Sequence, residues 1–228
     1  MVIKSPQRTI TTEGSLSING SPIEGVCSTQ YLGVSIDCNL TWKPHIDKIT
    51  KLVSRKVGII SQIRHYVPRS ILILLYNSLI LPQISYCLEI WGNTYYSLLK
   101  PIFHLQKKVV RLITFSDIHA HTAPLFQKLK ILDVYKLCKL QTCLFVFDLK
   151  NNRFAHTIHH YLDPIPHNYP TRLAMTDSFY IPKMNLTVCQ KTLKFTATNH
   201  WNTLPSTIKN EPNRHTFKSK LKNALLIQ

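Results

Sequence analysis

Pro44-His45-Ile46-Asp47-Lys48-Ile49-Thr50-Lys51-Leu52-Val53-Ser54-Arg55-Lys56-Val57-Gly58-Ile59-Ile60-Ser61-Gln62-Ile63-Arg64 is the stretch on which the fold class turns. Ile46, Ile49, Val53, Val57, Ile60 and Ile63 recur at spacings of three and four, the period of one face of an α-helix. Pro44 suits a first helical turn, where its missing N–H has no intrahelical partner to lose. Lys48, Lys51, Arg55, Lys56 and Arg64 fall mostly off the apolar stripe. The segment predicts an amphipathic helix whose wet side is basic.

Upstream, the period shortens to that of strands. Leu16-Ser17-Ile18-Asn19-Gly20 places an Asn-Gly turn after an alternating run, and Tyr31-Leu32-Gly33-Val34-Ser35-Ile36 reads as a short strand ending at Asp37-Cys38-Asn39. Downstream, helices are expected from Arg69 to Leu81, kinked or ended by Pro82, and continuing over Ile84 to Trp91 up to Gly92-Asn93. Another runs from about Ser97 to Phe115, with Leu98, Ile102, Leu105, Val109, Leu112 and Ile113 inward. A short helix near Pro124 to Lys128 precedes a strong one from Asp133, a capping residue, to Leu149. Prolines and histidines break any period over residues 151–185, which read as a loop-rich linker. Order returns at Lys194 to Leu204 and in a basic helix from Arg214 to Leu226, with Phe217, Leu221 and Leu225 inward. The fold class is mainly α with a small N-terminal β portion (α+β). The expected segments are residues 1–40, a helical bundle over 41–118, a helical extension over 119–150, a linker over 151–190 and a helical end over 191–228.

The chain has 228 residues, 44% hydrophobic and 10% aromatic, enough apolar material for a core rather than a disordered tail. Its 28 Lys and Arg against 11 Asp and Glu leave a net charge of +17, a self-repulsion that an anionic partner relieves. Cys27, Cys38, Cys87, Cys138, Cys143 and Cys189 contain no C-x-x-C pair, and no signal peptide opens the chain, so an intracellular setting is expected. The most apolar run, Ile71 to Leu81, is broken by Pro82 and Gln83, short of the roughly 20 apolar residues of a membrane span.

Candidate chemistry is sparse. Two-metal phosphoryl transfer needs converging carboxylates, yet no two of the 11 acids are adjacent or share a helix face. Phosphate-loop, nucleophile-elbow and dinucleotide fingerprints are absent, and His119-Ala120-His121 and His156-Thr157-Ile158-His159-His160 lack zinc-motif spacing. No catalytic residue and no metal site is expected. The basic helices remain: Lys51, Arg55 and Lys56 on one, Lys107, Lys108 and Arg111 on another, with Arg64 between. Such groups grip a phosphate backbone without reading its sequence; the plainer reading is a solvated helix face.

Several motifs resemble those of LINE-type (non-LTR retrotransposon, jockey-like) reverse transcriptases. Tyr31-Leu32-Gly33-Val34-Ser35-Ile36-Asp37, Leu40-Thr41-Trp42 and His45-Ile46, preceded by Val2-Ile3-Lys4-Ser5 and the Asn19-Gly20 hairpin, look like the end of that family's palm. Leu75 to Pro82, Tyr86-Cys87, Ile90-Trp91-Gly92, Leu105-Gln106-Lys107-Lys108, Val110 to Ile113 and Pro124-Leu125-Phe126 look like its thumb. Tyr169-Pro170-Thr171-Arg172, His200 to Pro205 and Phe217 to Leu221 are similar to its tail. The resemblance implies a truncated palm hairpin followed by a helical thumb. Tyr31, Leu32 and Gly33 would form the primer grip, and RNA or an RNA–DNA duplex would be held through its phosphate backbone, with no membrane partner. The family's Tyr-Ala-Asp-Asp type turn is absent, and no Asp-Asp occurs in the chain. The catalytic acids are therefore expected upstream of Met1, and this chain needs no cofactor of its own, since Mg²⁺ would belong to the missing palm. The alternative is a non-catalytic structural or protein-interaction module, or a non-functional product, derived from the same element.

Overall fold

The computed structural model describes residues 1–3, 17–158, 160–165 and 177–227. Lys4, Ser5, Glu13, Leu16, His159 and the Tyr169-Pro170-Thr171-Arg172 motif lie outside the described residues. Two antiparallel hairpins come first. β1 (Ser17–Ile18) and β2 (Ser21–Pro22) pair across Asn19-Gly20, whose φ angles of 50° and 81° match the strands' right-handed twist. β3 (Ser28–Tyr31) and β4 (Val34–Asp37) pair from Ser28↔Asp37 to Tyr31↔Val34. The run Tyr31 to Ile36 is therefore not one strand. It reverses at Leu32-Gly33, at φ 45° and 82°, because Gly33 supplies a left-handed position at no steric cost.

The Asp37 carboxylate closes the second hairpin onto the first helix. It accepts hydrogen bonds from Thr41 N–H (3.1 Å), Thr41 Oγ1 (3.0 Å) and Trp42 N–H (2.9 Å). Burial pushes this acid up, but those donors outweigh burial and hold it below its ordinary value. Helix α1 (Lys43–Ile63) follows, with Ile46, Ile49, Val53, Val57 and Ile60 buried as the periodicity predicts, and His45 buried beside them.

Pro82 does not end the next helix. α2 (Arg69–Leu75), a π-helical turn (Tyr76–Ile80) and α3 (Leu81–Ser85) form one rod. Proline lacks an N–H and crowds the carbonyl four residues back, and the wider turn just before Pro82 accommodates it. Nor does the helix run on from Ile84 to Trp91. Tyr86 is extended, Cys87 is left-handed (φ 50°), and a separate α4 (Leu88–Trp91) follows. Gly92 then allows close packing, since a Cβ there would lie 2.5 Å from the Leu88 carbonyl oxygen and 2.9 Å from Cys138 Sγ.

Helix α5 (Tyr96–Thr114) is turned from the expected register. Leu99, Ile102, Gln106, Val109, Val110 and Ile113 are buried, while Leu98, Leu105 and Leu112 are only partly so. The reason is Gln106, whose amide is spent entirely inside the core. Nε2 donates to the Tyr76 hydroxyl (3.0 Å) and the Leu132 carbonyl (3.3 Å), and Oε1 accepts from Val134 N–H (2.7 Å). A fully bonded amide replaces the leucine that apolar counting favours.

After α6 (Ala123–Leu129), Asp133 caps α7 (Val134–Lys150) by accepting from Tyr135 and Lys136 N–H at 3.0 and 2.9 Å. Helix α7 is central, packing on α3, α4 and α5 as well as on later helices. Its Cys138 and Cys143 thiols are pushed up to about 12 by burial and behave as small hydrophobes. All six cysteines are free. The last elements are α8 (Thr187–Gln190), α9 (Leu193–Asn202), α10 (Ser206–Lys209) and α11 (Arg214–Ile227). Phe217 of α11 stacks on Phe147 (4.6 Å) and Trp201 (5.8 Å), so one hydrophobic cluster runs from Ile46 to Leu226. Among the described residues no helix is long and apolar enough to cross a membrane.

Candidate nucleic-acid interface

The basic side chains singled out by the sequence divide into four settings. Lys51 and Arg55 are exposed on α1, on the side away from its buried stripe. Lys56, one residue further, is half-buried, and its ammonium donates to the Leu79 carbonyl at 2.8 Å. It thus satisfies a carbonyl of the π-helical turn. Lys107 lies over the Phe103 ring at 4.4 Å and lines a pocket with Phe126 and His121.

Arg64, Lys108 and Arg111 come together. They line an open cleft of about 650 Å³ between the end of α1 and the last turns of α5, with Leu112, Ser116, Asp117 and Ile118 completing the wall. Three cations face one carboxylate, leaving the cleft two charges positive. Its cations are differently held. Arg111 donates through Nε (3.1 Å) and Nη2 (3.0 Å) to the Ala120 carbonyl, which fixes the guanidinium and leaves its other N–H groups without a partner among the described residues. Arg64 donates to His65 Nε2 (2.9 Å), with its guanidinium 5.8 Å from the Phe115 ring. Lys108 is exposed.

The hairpin tip is a separate place. Tyr31 and Leu32 are 66% and 73% exposed, so their side chains are presented rather than packed. The tip is nonetheless anchored, because the Tyr86 hydroxyl donates to the Leu32 carbonyl at 2.7 Å, and a Cβ at Gly33 would lie 3.6 Å from the Tyr86 ring. Behind the tip, Ser35 N–H donates to His45 Nδ1 (3.3 Å) in the first turn of α1. The hairpin thus leans on one end of α1 and the cleft lies at the other. At 1.5 Å per residue, the 21 residues of α1 put about 30 Å between them.

Over 122 residues, half of this chain, the sequence is 31% identical to a probable RNA-directed DNA polymerase from transposon X-element of Drosophila melanogaster. It is also 31% identical over 121 residues to the RNA-directed DNA polymerase from mobile element jockey of the same organism. The similarity relates the chain to the reverse transcriptases of mobile elements. The matched part spans 13% of each relative's length. No family model and no solved structure matches the chain.

Two participants escaped sequence reasoning. Arg69 donates to the Ile113 and Thr114 carbonyls, both at 3.3 Å, and so ties the start of α2 to the end of α5 beside the cleft. Phe115 stops α5 in a left-handed conformation (φ 55°) and keeps an exposed ring between Arg64 and His65. Neither carries a sequence signal, since an arginine beside a proline and a phenylalanine at a helix end are ordinary. In the linker, the His156 and His160 rings lie 6.4 Å apart, and among the described residues no three His, Cys, Asp or Glu side chains converge.

Proposed function

We propose that this chain is the nucleic-acid-gripping C-terminal portion of a non-LTR retrotransposon reverse transcriptase. It holds RNA or an RNA–DNA duplex by the phosphate backbone and catalyses no polymerisation by itself. The observation that carries this reading is the cleft that gathers Arg64, Lys108 and Arg111 around 650 Å³ of open space with one opposing carboxylate. Cations held over a concave, partly apolar surface concentrate field on a passing phosphate, and a fixed arginine fork suits its oxygens. The relation to RNA-directed DNA polymerases supplies the kind of anion.

In this reading the hairpin β3–β4 is the primer grip and the helices from α1 to α5 are the thumb. Two contact regions about 30 Å apart then bracket roughly one turn of a duplex. Lys51 and Arg55 on α1 add backbone contacts between them. Leu32 fits this role, since a leucine at φ 45° costs about 1 kcal/mol relative to asparagine or glycine, a strain consistent with a side chain kept for contact.

The test is binding together with primer extension. The purified chain should retain an RNA–DNA hybrid at low salt, release it as salt rises, and tolerate changes of sequence. Given a primed template, nucleotides and Mg²⁺ or Mn²⁺, it should extend nothing. No binding at low salt would remove the gripping role, and robust extension would show that its scattered carboxylates assemble an active site.

A further inference from the structure

A second group of cations lies apart from the cleft. Lys130 follows α6 in a left-handed conformation (φ 54°), and Lys218 and Lys222 stand one turn apart on α11. These three side chains line one pocket of about 190 Å³. Asn77 of the π-helical turn, Ser85 of α3 and Gln141 of α7 supply its neutral polar groups. Its floor is apolar, and no carboxylate lines it.

Lys130 and Lys218 are exposed and Lys222 is partly buried. Like charges one helical turn apart repel, and the third lysine adds to that repulsion. Burial, and then the charges of Lys218 and Lys130, hold the Lys222 ammonium below its ordinary value. Elsewhere on the same helix the chain pairs such a group, since Lys220 meets Glu211. Among the described residues none of the three pocket ammonium groups has a hydrogen bond or ion pair within the protein. An apolar floor sharpens their field toward the opening. Asn77 and Gln141 offer amide donors that suit oxygen acceptors, while the Ser85 hydroxyl already donates to the Pro82 carbonyl. The volume falls below the roughly 300–1,000 Å³ of ordinary small-molecule sites, which favours a tetrahedral oxyanion over a nucleobase or a whole nucleotide.

We propose that Lys130, Lys218 and Lys222 form a phosphate-binding pocket between α6, α7 and α11, taking either a free phosphate or one carried by a nucleic-acid backbone. This site shares no residue with the cleft and does not depend on the function proposed for it. Phosphate binding would tie α11 to the α3–α7 side of the core and relieve the repulsion among the lysines.

Calorimetric titration of the full chain with inorganic phosphate, at ionic strength held constant with chloride, tests the proposal. Saturable binding is expected, weakened about tenfold by Lys218→Gln and again by Lys222→Gln. Both variants remove repulsion, so the free protein should melt no lower than wild type. A phosphorylated trinucleotide and its dephosphorylated form separate the sources. Preference for the phosphorylated form marks a terminal or free phosphate, and equal binding of both, lost in Lys218→Gln, marks a backbone phosphodiester. No binding of any probe beyond chloride, or binding unchanged in the double variant, would overturn the pocket. Loss of hybrid binding on changing Arg64 and Lys108, with phosphate binding intact, would concern the cleft alone.

Discussion

Replacing Arg64 and Lys108 together by glutamine should change how binding responds to salt more than it changes the protein. Both side chains line the cleft. Lys108 is exposed, and among the described residues Arg64 bonds its neighbour His65 and lies over Phe115, so little folding energy depends on either. Arg111 is the wrong target, because two of its N–H groups hold the Ala120 carbonyl and its loss would disturb the turn after α5. Each phosphate contact contributes about 0.9 to the slope of log affinity against log salt on a duplex, so losing two flattens it by about 1.8. Between about 50 and about 200 mM salt, that difference amounts to roughly tenfold in affinity. Fluorescence anisotropy with a labelled RNA–DNA hybrid, read at several salt concentrations, measures both slopes. Lys107→Gln is the internal control, since that ammonium sits over Phe103 in a different pocket and its removal should leave the slope unchanged. Equal slopes for wild type and the double variant would refute the assignment of the cleft, and an effect of Lys107→Gln alone would move the interface to the other side of α5.

Acid should destabilise the fold through His200, on α9. Burial, then the charge of Lys139, lowers it from its ordinary 6.5 to about 4, and among the described residues its buried Nδ1 has no partner. The unfolded chain therefore binds the proton more readily, so stability is full above 6.5 and falls as pH drops toward 4, by on the order of 3 kcal/mol. Buried His45 is lowered as well and acts in the same direction. Urea melts across this range should show the loss, and His200→Leu should blunt it; an unchanged acid limb in that variant would be contrary evidence. At the hairpin tip, Leu32→Asn should raise stability by about 1 kcal/mol, because asparagine tolerates the left-handed position at φ 45°. The same change should weaken hybrid binding if the exposed leucine touches nucleic acid, and a variant that is stabilised with undiminished affinity would remove the tip from the interface.

Much of the helical framework was legible from local pattern. The α1 stripe, the Asp133 cap on α7, the Asn19-Gly20 turn and the inward Phe217, Leu221 and Leu225 of α11 all follow from period or turn chemistry. The misreadings have physical reasons. Tyr31 to Ile36 has the composition of a strand, yet two left-handed residues fold it back. Tyr86-Cys87 interrupts a helix with no glycine or proline to mark it. There Trp91 Nε1–H donates to the Tyr86 carbonyl at 2.9 Å, a bond made only after the chain has turned. Gln106 displaced leucine neighbours from the core because its three partners come from α2–α3 and from the start of α7.

By itself the sequence determined that this is a basic, mainly helical chain, and which side of α1 and α11 turns inward, though not the register of α5. It did so because helical period and charge are properties of neighbouring residues. Which cations are free to meet a phosphate was decided only by the tertiary structure. Lys51 and Lys56 share one helix, and local pattern treats them alike. Lys56 nevertheless meets a carbonyl 23 residues away, while Lys51 stays exposed. Lys107 lies over Phe103, one turn back on its own helix, a pairing that local spacing already allows, while Lys108 joins Arg64, which only the fold brings from the far end of α1. An ammonium's partner is set by what the folded chain places within hydrogen-bond reach, and that is a matter of packing between distant segments.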